Sequence, residues 1–535
     1  MDIWVARAYL KQPEGWLAGS NIDPSQTRLP AFTVALAYAL LNNSGLLLAR
    51  FASCVTGALT LAGVYVYCKQ RYDTKRGLLA CCLLATSPFY LSFARVAFTE
   101  TDIYLACTLV WLLVCVDRLQ DQPSIRRAGM VGIISGLAIS AKFTALAVLP
   151  ALWYAIWQTK KRGQGKELQP ENIYVFLFWI FSVLVYLLVG LIIPKTLSPA
   201  TYLGSLRLIH YTVVFLGWII TLVWMQRRQN FTSSWFMLGL LMTGLALLTF
   251  LVLPPEHLTN PTILNSLTNR FQHEMTYRAG FMMEAAALHI FSIFFKSSLV
   301  IGAALLLSLI ATTFQWRNWK IQYPLMMVWL YLGCLVVLPL AQTFYTIPLL
   351  PFLAIFTADQ FLALVSRKLF GALGLAGVAA LMLGVDLILC YPDYNLNGYQ
   401  WLGHRILAGR PSIGYRSVVQ TPSDGVEQAM EWLNGHAKAG ERVRAYISPW
   451  HIVREKTPNP AYKLENGLYD KVTADPDYVV VEINVQVRQS WWIKSEPDEV
   501  FLPIYNSSWL DSNYNKVFSV RRAFGIEMAS VYRKK

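Results

Sequence analysis

Apolar runs of membrane-spanning length recur between residues 31 and 390, and a polar, mixed-pattern stretch follows them to residue 535. "YVFLFWIFSVLVYLLVGLII" (174–193) and "LFGALGLAGVAALMLGVDLILC" (369–390) are each long enough for a hydrocarbon thickness of about 30 Å. The pattern predicts spans near 48–67, 77–92, 102–117, 128–141, 144–157, 172–193, 209–225, 233–253, 297–312, 322–340, 344–358 and 370–390. The stretch 129–157 carries Lys142 at its middle and is basic on both flanks, so it reads as two short helices that meet at a turn. Residues 31–45 are too short to cross and read as a helix near the interface. Residues 254–296 read as a long loop with interfacial helices. After residue 390 the pattern changes. "DGVEQAMEWLNGHA" (424–437) has helical spacing, with Val426, Met430 and Leu433 on one face. "RVRAYISPW" and "DYVVVEINVQV" read as strands separated by turn-like "NPAYKLENG", and "KVFSVRRAF" and "IEMASVYR" as a final strand pair. The fold class is thus an all-α polytopic membrane domain of about 12 spans over 1–390, followed by a small soluble α/β domain over 391–535.

Composition agrees with this division. The chain is 55% hydrophobic with a mean hydropathy of +0.41. Only 14% of its residues are charged, against about 25% in a soluble domain. The net charge of +15 belongs to the membrane part, which holds 28 basic and 15 acidic groups, whereas the tail holds 18 and 16. The excess lies in short loops such as "CKQRYDTKR", "DRLQDQPSIRR", "QTKKRGQGK" and "QWRNWK", which excludes a nucleic-acid patch and marks the cytoplasmic side. Membrane lipids are therefore a partner and nucleic acid is not. With twelve spans both termini, and the tail domain, fall outside the cytoplasm. The opening "MDIWVARAYL" is neither a signal peptide nor an anchor, so a further helix upstream of Met1 is expected. All eight cysteines lie within residues 1–390, which leaves the tail without a disulfide framework.

"SFARVAFTETDIYLACTLVW" (92–111) holds two carboxylates between apolar runs. By the span order, Glu100 and Asp102 sit at the outer membrane edge. Asp102 suits the first turn of the helix that starts there, where an acid favours the helix dipole. Asp2, Arg7, Asp23, Arg28, Arg95, Lys142 and Lys296 fall on the same side. Such carboxylates and cations suit a substrate with an apolar tail, a phosphate and a sugar. Basic groups hold the phosphate and a carboxylate takes the proton from an attacking hydroxyl.

The chain resembles the polytopic GT-C glycosyltransferases that use lipid-linked sugars. The closer group includes the bacterial dolichyl-phosphate-mannose-protein mannosyltransferase-like proteins and the lipid A aminoarabinose transferases. Four stretches carry the resemblance: "MDIWVARAYL…TRLPAFTVALAYALL", "LLARFASCVTGALTLAGVYVYCKQRYDTKRGLLACCLLATSPFYLSFARVAFTETDIYLA", "GLAISAKFTALAVLPAL" and "QTFYTIPLLPFLAIFTADQ". The resemblance implies sugar transfer, with inversion, from a polyprenyl-phosphate donor to a hydroxyl or amine on a lipid, glycan or protein acceptor. It implies a base in the first outer loop, Asp2 with Asp23 as the fallback, and a second acid at Glu100, with Asp102 the weaker match. It implies phosphate contacts from Lys142 and Arg28, then Arg95, and an aromatic at the outer end of a late span, Tyr345. Lys296 joins the cations by position. No cofactor is implied with certainty. Some relatives use a divalent ion and others do not, which leaves a metal open. Three other classes remain: a flippase for lipid-linked sugar, a non-catalytic scaffold, and a membrane hydrolase or ligase acting on a polysaccharide.

Overall fold

The computed structural model describes residues 29–42, 46–94, 101–122, 124–148, 150–152, 154–155, 282–316, 318–337, 343–366, 425–447, 461–467, 475–482, 507–521 and 527–535, with three further single residues. The spans expected near 172–193, 209–225 and 233–253 lie outside these residues, as does nearly all of 370–390.

The first described helix, α1 (Leu29–Leu41), covers the stretch read as interfacial. Helix α2 runs from Leu46 to Arg71, longer than the apolar run because Lys69 and Arg71 continue it as a basic last turn. Helix α3 (Thr74–Thr86) is capped by Asp73, whose carboxylate accepts the Arg76 backbone N–H at 2.8 Å. The stretch 77–92, expected as one span, is two helices. Pro88 begins α4 (Pro88–Ala94), and the two axes differ by 73°. Proline is suited to a first helical position and ends the helix before it.

Helix α5 (Thr101–Asp121) packs against α2 and against α6 (Ile125–Ala141). Gly63 permits the approach of α2 to α5, since a Cβ there would lie 2.7 Å from Val110 Cγ1. Helix α6 ends at Lys142, whose backbone turns extended, and a 3-10 turn Phe143–Val148 follows. The two-part reading of 129–157 holds at this break. Then come α7 (Met282–Lys296), α8 (Leu299–Phe314), α9 (Trp319–Val337), a 3-10 turn Thr343–Leu349, and α10 (Leu350–Ser366). Lys296 therefore closes α7 rather than opening the next helix. Among the described residues, two helices are long and apolar enough to cross a membrane, or three if the bent α3–α4 pair is one span.

Ion pairs mark the two ends of the helical part. At one end Arg71 of α2 meets Asp117 of α5 at 2.7 Å, both nearly enclosed, and Arg76 of α3 meets Asp359 of α10 at 2.7 Å. Lys69, Lys75, Arg118, Arg126 and Arg127 lie on helix turns at this same end. At the opposite end Lys142 meets Asp102.

The tail contains an open five-stranded sheet of order β2-β1-β3-β5-β4, with β1 Arg442–Tyr446, β2 Lys463–Asn466, β3 Tyr478–Glu482, β4 Tyr514–Arg521 and β5 Glu527–Lys534. Strand β1 is parallel to β2 and β3, and the remaining pairs are antiparallel. Helix α11 (Val426–His436) buries Val426, Ala429, Met430 and Leu433 against Val443, Ala445, Val480 and Val531. A short helix, α12 (Ser507–Asn513), lies on the other face, where Leu510 packs with Tyr446, Val479, Val481, Tyr514 and Tyr532. The stretch expected as a turn contains β2. It has little apolar content because it is an edge strand held by charge: Glu465 accepts from both Arg442 and Arg444. Glu427, in the first turn of α11, pairs with Arg50 at the start of α2 at 2.5 Å. A partly exposed ion pair thus links the tail to the Lys142 end of the helices.

Burial raises the Glu465 carboxyl, but hydrogen bonds from Arg442 and Arg444 outweigh it and hold the group below its usual range. A depressed folded pKa contributes stability above the unfolded value, about 4.3, which is lost as pH falls through the folded value. Glu465→Gln is expected to destabilise the tail by about 1.5–3 kcal/mol at pH 7, the worth of hydrogen bonds to charged groups. Thermal unfolding of the tail in the purified chain, followed by near-UV circular dichroism, checks this. The gap from wild type should narrow below pH 4.

Candidate active site

Asp102 stands in the first turn of α5, a position that favours an acid, and its side chain is fully buried. Lys142 is placed by the end of α6. Its backbone N–H still donates to Ala138 O at 3.0 Å, and the chain then leaves in extended form. The Lys142 ammonium reaches Asp102 Oδ2 at 2.5 Å and is 12% exposed. The other oxygen, Oδ1, is enclosed as well. A buried pair of this kind holds only because each charge answers the other. Removal of one partner leaves a charge that water does not reach.

Aromatic rings complete the site. The Lys142 ammonium lies 3.6 Å from the Tyr345 ring centroid and 5.5 Å from that of Phe344, both on the 3-10 turn before α10. A cation over a ring face is attracted by the ring quadrupole, more strongly where water is excluded. Beside it, the hydroxyls of Thr144 and Tyr331 lie 3.2 Å apart, which ties the turn after Lys142 to α9. The arrangement is a charged, nearly enclosed pair on an aromatic floor at the end of the bundle to which the tail is linked.

The structure thus brings together Asp102, Lys142 and Tyr345 from the expected residues. Lys296 is also buried, at the end of α7, with its ammonium 5.7 Å from the Phe89 ring centroid. Asp2, Asp23 and Arg28 lie outside the described residues, as do Arg95 and Glu100. The sequence reading ranked Glu100 above Asp102, which it took as a helix-start residue. Asp102 is also the counter-charge of the buried Lys142, a contact the sequence reading did not anticipate. Phe344, Thr144 and Tyr331 were missed, and only the adjacency of Phe344 to Tyr345 in "QTFYTIP" could have signalled one of them. Among the described residues no group of three or more His, Cys, Asp or Glu side chains gathers to hold a metal ion.

Residues 25–187 match the family model described as dolichyl-phosphate-mannose-protein mannosyltransferase. No curated protein matches the chain. Among solved structures, ArnT from Cupriavidus metallidurans bound to undecaprenyl phosphate aligns at 12% identity and a TM-score of 0.44, over 99% of this chain and 92% of that one. AglB, an archaeal oligosaccharyltransferase from Archaeoglobus fulgidus, in complex with an inhibitory peptide and a dolichol-phosphate, aligns at 11% identity and a TM-score of 0.43, over 100% and 70%. The matched segment 25–187 contains both members of the Asp102–Lys142 pair. Over residues 25–187, which hold Asp102 and Lys142 but not Tyr345, the chain is similar in sequence to that mannosyltransferase family.

Proposed function

We propose that the protein transfers a sugar from a polyprenyl-phosphate donor to an acceptor hydroxyl or amine, at the membrane face opposite its basic loops. The observation that carries the reading is the buried Asp102–Lys142 pair on the Tyr345 ring, at the end of the bundle tied to the tail through Arg50 and Glu427. The opposite end carries the basic turns, which by the positive-inside rule face the cytoplasm. The tail over 391–535 is then extracytoplasmic, and residues 1–390 form the membrane transferase domain.

In this reading Lys142 holds the donor phosphate. Asp102 keeps the ammonium in place. Arg28 and Arg95 add positive charge. The acceptor oxygen attacks the anomeric carbon from the side opposite the phosphate. The bond between that carbon and the phosphate oxygen breaks, and polyprenyl phosphate leaves with the electron pair. The acceptor's proton passes to a carboxylate of the first loop, Asp2 or Asp23, with Glu100 in support. Cations positioned at the leaving oxygen act where charge develops, which lowers the barrier more than it strengthens ground-state binding. In-line attack inverts the anomeric centre. A divalent ion, if used, would add to the cations on the phosphate.

Two results test the proposal. A cysteine introduced at the exposed Ala439 is expected to react with an impermeant maleimide in intact cells, beyond the wild-type background. Reaction only after lysis would place the tail, and the site with it, on the wrong face. The transferred sugar should show the opposite anomeric configuration from the donor by NMR, and retention would exclude single in-line displacement.

A further inference from the structure

The end of the bundle opposite Lys142 is built from the last turns of α2 and α5 and the first turns of α3 and α6. Side-chain contacts hold these turns together. Arg71 meets Asp117 at 2.7 Å, and Arg76 meets both Asp73 and Asp359. Arg127 of α6 donates to the carbonyl oxygens of Arg118 at 2.7 Å and Gln122 at 3.0 Å, a contact that suits the last carbonyls of a helix. The carboxylates Asp73, Asp117 and Asp359 are thus taken up by Arg71 and Arg76. Four cations are left: Lys69, Lys75, Arg118 and Arg126 are exposed, and among the described residues none of them forms an ion pair. Arg118 faces the neutral Gln70, whose amide oxygen, turned toward it, lies 2.9 and 3.1 Å from the guanidinium. Asp121, exposed at the end of α5, offsets one of the charges.

Helices α8 and α10 fix the depth of these cations. Asp359 of α10 takes Arg76, and the next residue, Gln360, exchanges hydrogen bonds with Gln315 at the end of α8, at 3.2 and 3.3 Å. Phe314 and Trp316 flank Gln315, are both exposed, and so stand at the level of Arg76. Leu307 and Ile310 lead up to Phe314 along the same exposed stripe of α8. An apolar stripe that ends in an exposed tryptophan marks the boundary between hydrocarbon and headgroups. The unpaired cations therefore lie at headgroup depth, where long stems let an ammonium or a guanidinium reach a headgroup phosphate. The arginine fork also matches phosphate oxygens.

We infer that this end of the bundle is a docking surface for the headgroups of anionic phospholipids in the leaflet around it. A zwitterionic headgroup brings no net charge to the patch, whereas an anionic one supplies the counter-charge that the helices lack. The inference stands apart from the transferase reading, because it concerns the opposite end of the molecule.

The test uses the full chain, purified in neutral detergent and titrated with phosphatidylglycerol or phosphatidylcholine, with bound lipid counted by native mass spectrometry. The wild type is expected to hold phosphatidylglycerol at least about tenfold more tightly than phosphatidylcholine. Lys69→Gln, Lys75→Gln, Arg118→Gln and Arg126→Gln together should bring the two affinities within about twofold. The charge-conserving set Lys69→Arg, Lys75→Arg, Arg118→Lys and Arg126→Lys should keep the preference, which separates a lost charge from a lost fold. Inorganic phosphate at the concentration of the lipid should not displace it. Equal binding of the two lipids by the wild type, or a preference that survives the fourfold replacement by Gln, overturns the inference. Displacement by inorganic phosphate overturns it too, and makes the patch a site for soluble anions.

Discussion

Replacement of Asp102 by Asn is expected to lower turnover at least about tenfold, a barrier increase of about 1.4 kcal/mol. In the first turn of α5 the loss of the charge alone costs about 0.3–1 kcal/mol through the helix dipole, so a residue that merely started the helix would leave turnover nearly unchanged. Asp102 does more than that, because its Oδ2 is 2.5 Å from a nearly enclosed ammonium. Asn keeps the shape and one acceptor oxygen but no charge. Lys142 would then sit in an enclosed site with no counter-charge from α5, and its ammonium would lose its fixed position over Tyr345. Loss of one partner of a buried pair typically costs about 3–5 kcal/mol. Part of that should appear as a lower Tm and part as lost turnover. Transfer of labelled sugar at saturating donor, in variants matched for folding by size-exclusion profile, measures the second part. Near-normal turnover would return Asp102 to a structural role.

The second large effect is expected at Lys142. Lys142→Met should weaken donor binding at least about tenfold, because it removes the charge that holds the leaving phosphate. The single variant also strands the Asp102 carboxylate, so its loss mixes two causes. The double variant Asp102→Asn, Lys142→Met separates them. Two contacting residues of one pair should be non-additive, and the double variant should be more stable than the sum of the single losses predicts. Donor affinity should stay low in it all the same. Titration of a polyprenyl-phosphate sugar in detergent, followed by intrinsic fluorescence, reads the affinity. Unchanged affinity in Lys142→Met would remove the phosphate role.

The local elements were legible where hydrophobic period and punctuation coincide. The run 48–67 located α2, and "DGVEQAMEWLNGHA" gave α11 with its buried face, because one amphipathic stripe has one partner. The break at Lys142 was legible because a charge between basic flanks forbids one continuous span. The Ser87-Pro88 bend was present in the sequence yet passed over, since hydropathy averages across a proline. Strand β2 was hidden because Lys463–Asn466 is stabilised by charge rather than by an apolar face. The site was half legible. Lys142, Asp102 and Tyr345 each stood out as polar or aromatic groups at helix ends. Their contact was not, because it joins α5, the end of α6 and the turn before α10 through packing of whole helices. No local spacing encodes that. Local helix-start chemistry hid the Asp102–Lys142 contact.

The site's place at the tail-bearing end also has a direct test. Sealed proteoliposomes are prepared with the tail outward, as checked by protease access, and given labelled polyprenyl-phosphate sugar and acceptor on the outside only. The account predicts transfer to the external acceptor by the wild type and a loss of at least about tenfold in Asp102→Asn. Movement of the labelled donor into the lumen with no product outside would contradict it.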